Sequence, residues 1–146
     1  MKQRINLKQL EPKVYEVLYS MEEYLSTTDL SVQLRELIKV RVSQINKCAF
    51  CIELHSKDAI KAGETQRRLL ALTAWEESPL FSDEEKAVLA FTEAITLISH
   101  AGVSDAVFAE VKRYYNDNQI CQIIAAINQM NFWNRIALST KMSLPV

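Results

Sequence analysis

The sequence is poor in the residues that interrupt helices. Two glycines and three prolines occur in 146 residues, well below ordinary usage, and turn-rich all-β folds need more of both. No stretch approaches the ~18 consecutive apolar residues of a membrane span. No basic patch stands out either. Seventeen Lys and Arg against eighteen Asp and Glu leave a net charge of −1, and the largest basic clusters, Lys39–Arg41 and Arg67–Arg68, are short and set in helical patterns. Nucleic-acid binding rests on basic patches that neutralise phosphates. Neither a nucleic-acid partner nor a membrane is therefore expected.

Cysteine and histidine are scarce, at three and two. The opening segment MKQRINLKQLEPK has basic residues with no apolar run behind them, unlike a secretory leader. A cytoplasmic setting is the expectation. Thiols there stay reduced, so a CxxC pair points to redox catalysis or metal binding rather than a structural disulfide. The length fits one domain over residues 1–146. At that size a chain buries roughly two-thirds of its unfolded surface and needs neither staple nor metal to hold together.

The apolar periodicity is helical throughout, which predicts an all-α fold. Pro12 opens a helix carrying Val14, Val17, Leu18, Met21 and Leu25, as proline is tolerated in a first turn. A second helix, about Ser31 to Ile45, places Leu34, Leu37, Ile38, Val42 and Ile45 on one stripe and breaks at Asn46, a residue that tolerates the left-handed conformation. A third runs from near Cys48 to before Gly63. TQRRLLALTAW follows, ending ahead of Pro79. Ser82 to Glu85 has the form of a capping box and starts a long helix; DAVFAEVKRYY is another. The last, about Asn118 to Ser139, is apolar on more than one side, so it lies at the centre of the core or against another subunit.

The chemistry gathers in KCAFCIELHSKD, Lys47 to Asp58. At ~100° per residue, Cys51 lies about −60° and His55 about −20° from Cys48 on the helical wheel. Residues three and four apart on one stripe touch, so the thiols can form a disulfide and the imidazole can reach Cys51. The thiolate is the reactive form. Proximity to the helix start favours Cys48 as nucleophile; proximity to the histidine favours Cys51. Upstream, Glu36 sits among Leu34, Leu37 and Ile38, where a carboxylate needs a partner. Folding back at Asn46 brings it towards His55 as a Glu–His–Cys relay. Two alternatives stand beside catalysis. One is a zinc site of Cys48, Cys51 and His55 with Glu36 or water as fourth ligand. The other is a redox sensor or oligomerisation module without turnover.

Glu36, eleven residues, Cys48-Ala49-Phe50-Cys51, three residues and His55 together resemble the active-site motif of the AhpD-like alkylhydroperoxidases of the carboxymuconolactone decarboxylase superfamily. SKDAIKAGET and WEESPLFSDEEKAVLAFTEA resemble the short members as well, and the likeness spans roughly Leu30 to Arg135. It implies an all-helical fold and a homo-oligomer, a trimer or hexamer. It implies a peroxidase working without metal, haem or flavin. Cys51 would attack a hydroperoxide, Cys48 would resolve the sulfenic acid as a disulfide, and His55 and Glu36 would relay protons. A dithiol protein or small thiol would be the reductant. The sequence departs from the best-understood branch at Phe50, where that branch has histidine. This bears on peroxidase efficiency and leaves the dithiol chemistry untouched. True decarboxylases of the superfamily lack the cysteine pair.

The remaining residues have plainer readings. Cys121, among isoleucines, is expected in the core and His100 at a helix end. Trp75, Phe81, Phe91, Phe132 and Trp133 are expected in core or interface, with some able to line a cleft over the cysteines. Asn134 and Arg135 sit in a stretch that also resembles the family, with no chemistry assignable to them.

Overall fold

The computed structural model describes residues 2–142 and 144. Every regular element among them is helical: α1 (Leu7–Leu10), α2 (Pro12–Ser26), α3 (Val32–Ile45), α4 (Ala49–Lys61), α5 (Gln66–Ala71) with a 3-10 turn at Leu72–Ala74, α6 (Asp83–Thr96), α7 (Ile98–Ala101), α8 (Asp105–Lys112) and α9 (Asp117–Thr140). None is long and apolar enough to cross a membrane.

Local signals account for most boundaries. Pro12 is the first residue of α2. Ser82 and Glu85 complete a reciprocal capping box at α6, and Asn116 with Gln119 makes a second one at α9. Gly63 and Gly102 have φ of +98° and +68°, a region open to glycine at little cost. The break after α3 differs from expectation. Asn46 keeps a right-handed φ of −76°, and Lys47 takes the left-handed one, at 58°. The Asn46 side chain is occupied elsewhere, donating from Nδ2 to Asn131 Oδ1 and Asn134 Oδ1, both at 2.9 Å.

Helix α3 is the axis of the fold. It packs against α4, α6 and α9, and the short turn through Asn46–Cys48 folds α4 back along it. Its apolar residues serve two clusters. Ile38 and Val42 join Phe91, Ile123, Ile127, Met130 and both cysteines of the motif. Leu37 and Val40 join Leu69, Leu72, Trp75, Phe81 and Leu89. The expected single stripe is therefore wrong for α3, which is buried on two sides. In α2 the reverse holds: Leu18 and Leu25 are buried while Val17 and Met21 face outward. The expected placement of Cys121 in the core also fails; it is exposed, on the outer face of α9. That helix is otherwise central, burying Ile120, Ile123, Ala126, Ile127 and Met130 together with Gln122, Gln129, Asn131 and Asn134.

Phe91 is 1% exposed and meets Phe108 edge-on, with centroids 6.0 Å apart. Phe91→Ala should destabilise the protein by about 3–5 kcal/mol. Urea unfolding should then show a lower midpoint with an unchanged slope.

Candidate active site

Cys48 is the N-cap of α4, with extended backbone at φ −89° and ψ 94°. Its own N–H donates to Ser43 O at 2.9 Å, which ties the start of α4 to the end of α3. Cys51 follows one turn later and His55 one turn after that, so the three side chains share a stripe as the spacing predicted. The two sulfurs are free thiols, both buried. Glu36 reaches the stripe from α3, and its Oε2 lies 3.0 Å from His55 Nδ1. All four expected residues are thus brought together.

The two thiols differ in acidity. The Cys51 thiol donates towards the Cys48 sulfur, and this outweighs burial in bringing Cys48 down to about 7. The Cys51 backbone N–H adds to the effect, although the sulfur makes no full capping hydrogen bond. Cys51 is pushed far up, because its proton is held by Cys48, because it is buried, and because a second negative charge beside the first is unfavourable. The pair therefore gives up its first proton around neutral pH, and the resulting negative charge sits mainly on Cys48.

Access runs the other way. A cavity of about 320 Å³ is walled by Cys51 and His55, at the small end of the roughly 300–1,000 Å³ typical of ligand pockets. Cys48 does not line it. The rest of the wall is mostly apolar: Phe50 and Leu54 from α4, Tyr15 and Tyr19 from α2, and Met130 and Trp133 from α9. Tyr15 and Tyr19 pack on Trp133, with centroids 5.2 and 5.7 Å away. Trp133 thus belongs to the cleft, Trp75, Phe81 and Phe91 are core, and Phe132 is half exposed.

The structure brings in two groups to which the sequence reading assigned no chemistry. Asn134 is fully buried, and its amide hydrogen bond to Cys51 favours the thiolate there, against the larger opposing effects of Cys48 and burial. Its Nδ2 also donates to Ser43 Oγ at 3.2 Å. Lys39, one turn after Glu36 on α3, puts Nζ 2.9 Å from Glu36 Oε1. Burial raises the Glu36 carboxyl, but the His55 hydrogen bond and the Lys39 charge prevail and leave it below the usual range.

The zinc arrangement fits poorly. His55, Glu36 and Asp58 have potential donor atoms within 4.8 Å of one another, a set that contains neither cysteine. Both Glu36 oxygens are already engaged, one by an ammonium. We do not read these residues as metal ligands.

Such a constellation on an all-helical scaffold defines a dithiol site with an attached carboxylate–imidazole pair. The sequence profile of the carboxymuconolactone decarboxylase family matches residues 12–94, from the first residue of α2 through most of α6. The chain belongs to this family, within the superfamily that includes the AhpD-like proteins. It is 42% identical over 139 residues to the uncharacterized protein YdfG of Bacillus subtilis, covering 95% of each chain. The crystal structure of an Agrobacterium tumefaciens protein of unknown function, described as an antioxidant-defence candidate of AhpD type, matches with a TM-score of 0.96 at 33% identity, covering 99% of both chains. An uncharacterized peroxidase-related protein from Silicibacter sp. TM1040 matches with a TM-score of 0.78 at 26% identity, covering 88% of this chain and 68% of that one.

The acidity of Cys48 depends on its neighbour. Thiolate absorbance should titrate near pH 7 in the reduced protein. In Cys51→Ala the midpoint should rise towards that of a free thiol, about 8.5, because the donor that stabilises the anion is gone.

Proposed function

We propose that the protein is a thiol-dependent peroxidase that reduces hydroperoxides through a Cys51–Cys48 dithiol/disulfide cycle. The observation that carries this reading is the cavity on whose wall Cys51 and His55 stand together, with Glu36 behind the imidazole and Cys48 behind Cys51.

The chemistry follows from the placement. His55 donates from Nδ1 to Glu36, which leaves Nε2 as the acceptor for the Cys51 proton. The Cys51 sulfur attacks the peroxide; an S–O bond forms as the O–O bond breaks. The departing alkoxide takes the proton from Nε2 and leaves as an alcohol. Cys48, already a thiolate near neutrality, attacks the sulfenic sulfur. The S–S bond forms, the S–O bond breaks, and the hydroxide is protonated from solvent to water. Two thiols and a hydroperoxide become a disulfide, an alcohol and water, and an external dithiol protein or small thiol restores the pair. Phe50, in place of the histidine of the best-understood branch, adds to the apolar wall, so His55 is left to handle the proton alone. Family habit further implies a trimer or hexamer; Val17, Tyr24, Leu54 and Phe132, exposed here, are apolar surface that such an assembly would cover.

Disulfide exchange with a partner protein is a second reading, favoured by the acidity of Cys48. The recessed, aromatic-walled cavity suits a small oxidant better than a protein disulfide.

One equivalent of an organic hydroperoxide added to reduced protein should remove two hydrogens by intact mass, mapping to a Cys48–Cys51 disulfide. Cys51→Ser should abolish this. His55→Ala should slow it by roughly 10²–10⁴-fold. Oxidation no faster than that of a free thiol, or persisting in Cys51→Ser, would overturn the peroxidase reading.

A further inference from the structure

The Glu36–His55 pair does not end at Glu36. Lys39 Nζ lies between two carboxylates, Glu36 Oε1 at 2.9 Å on its own helix and Glu22 Oε1 from α2. The other Glu22 oxygen accepts from Gln129 Nε2 of α9. The Lys39 side chain is 6% exposed and that of Glu36 10%, whereas Glu22 is 36% exposed and stands on the cavity wall with Cys51 and His55. A chain of alternating charge thus runs from the imidazole, beneath the floor of the site, and back up to the cavity on the far side.

A lysine buried this deeply is a costly choice for a helix that needs only packing. Replacing a whole buried ion pair or triad by apolar residues is often neutral or stabilising, whereas removing one member strands a buried charge. Neither the cysteines nor a substrate in the cavity touches Lys39, so its role must pass through Glu36 and Glu22. Glu36 has two oxygens and two partners. With the ammonium on Oε1, the carboxylate stays ionised in a site that would otherwise favour its neutral form, and Oε2 remains an acceptor. An acceptor at Oε2 requires a proton on Nδ1 of His55, and this leaves Nε2 for the cavity.

We propose that Lys39 is a positioning residue of the site: it holds Glu36 as a carboxylate so that His55 keeps Nδ1 as donor and Nε2 free, and it pins Glu22, and with it α2, to the cavity wall. The proposal rests on the reading of His55 as the proton-transferring group of the cavity.

The charged and titratable groups facing this pair come from every element packed on it. They are Lys39 on α3, Glu22, Tyr15 and Tyr19 on α2, and Asp58 and Cys51 on α4, with Cys48 behind Cys51; from α9 comes the uncharged Gln129. Two of them make opposite predictions. Lys39→Met removes a positive charge and leaves the buried carboxylate with only the imidazole, so a proton on the pair is bound more tightly. Glu22→Gln removes a negative charge beside Lys39, so the same proton is bound less tightly. Lys39→Arg keeps the charge.

Nitrogen-15 spectra of the imidazoles read this directly. The chain has two histidines, and His55→Gln assigns the resonances. In reduced wild-type protein, the neutral His55 should carry its proton on Nδ1. The midpoint of its titration should rise by about half a pH unit or more in Lys39→Met, fall in Glu22→Gln and hold in Lys39→Arg. A parallel shift should appear in the pH profile of hydroperoxide oxidation. A lost packing contact alone would lower rates at every pH and move no midpoint. Equal midpoints in wild type and Glu22→Gln, with Lys39→Met either equal or unfolded, would overturn the proposal, as would an Nε2-protonated neutral imidazole in the wild type. The spectra need no peroxide. If the midpoints shift as stated while wild-type protein fails to react with hydroperoxide, the positioning role stands and the peroxidase reading falls.

Discussion

Two charges on the central helix constrain everything around them. Glu36 and Lys39 are 8% and 4% exposed, one turn apart on α3, a helix with a hydrophobic cluster on each side. Their side chains cannot reach bulk water, and an ion left unpaired in such a place costs several kcal/mol. Three other helices supply the partners: His55 from α4, Glu22 from α2, and Gln129 from α9 to complete Glu22. Burial alone would push Lys39 down, but the two carboxylates outweigh it and hold it above its ordinary range. The same contacts that neutralise these charges set where α2, α4 and α9 meet, and they meet at the cavity.

The cysteines divide two properties that one residue does not easily combine. A helix N-cap is a good place for an anion, and Cys48 occupies it, but there it is walled in by the core. Cys51, one turn along, faces the cavity and keeps its proton, because its S–H is what stabilises Cys48. The i, i+3 spacing that permits a disulfide also makes a second thiolate beside the first unfavourable. On the proposed cycle Cys51 needs a proton acceptor, and His55, one further turn on, stands on the same cavity wall. Asn134 works in the same direction from α9, favouring negative charge on the sulfur that has the access.

Features set by neighbours in the chain were legible before the fold was known. Ser82 and Glu85, Gly63 and Gly102 act within one turn of themselves, and the Cys48–Cys51–His55 stripe follows from helix period alone. The position of Glu36 opposite His55 was readable because one short turn joins their helices. Lys39 stood out only as part of a short basic cluster; its partner Glu22, 17 residues away on the preceding helix, is brought to it by packing and not by helix period. Asn134 pairs with Ser43 across 91 residues; the family-like stretch around it drew notice to it but gave no hint of that partner or of Cys51. Hydrophobic pattern misled at Val17, Met21 and Cys121, where apolar neighbours fall on an outward face, and at α3, where one stripe was read from a helix buried on two sides. At the α3–α4 turn, the preference of asparagine for left-handed backbone yielded to the two hydrogen bonds that hold its side chain, and Lys47 took the strained position.

The apolar character of the cavity gives the buried charges their consequence. Aromatic rings from α2 and α9 line it together with α4, so the field of the buried Glu36 and Lys39 acts largely through protein rather than water. In such a medium, moving a proton from Cys51 to His55 within a site of fixed total charge is far less costly than importing or expelling an ion. On the proposed peroxidase cycle, the thiol pair, the imidazole and the carboxylate–ammonium–carboxylate chain beside it would let charge move from sulfur to sulfur and onto a departing oxygen while the number of buried ions stays small. α2 enters the site twice, because it brings both the tyrosines of the cavity wall and the carboxylate that balances Lys39. The helix that precedes the motif in sequence is thus part of its chemistry.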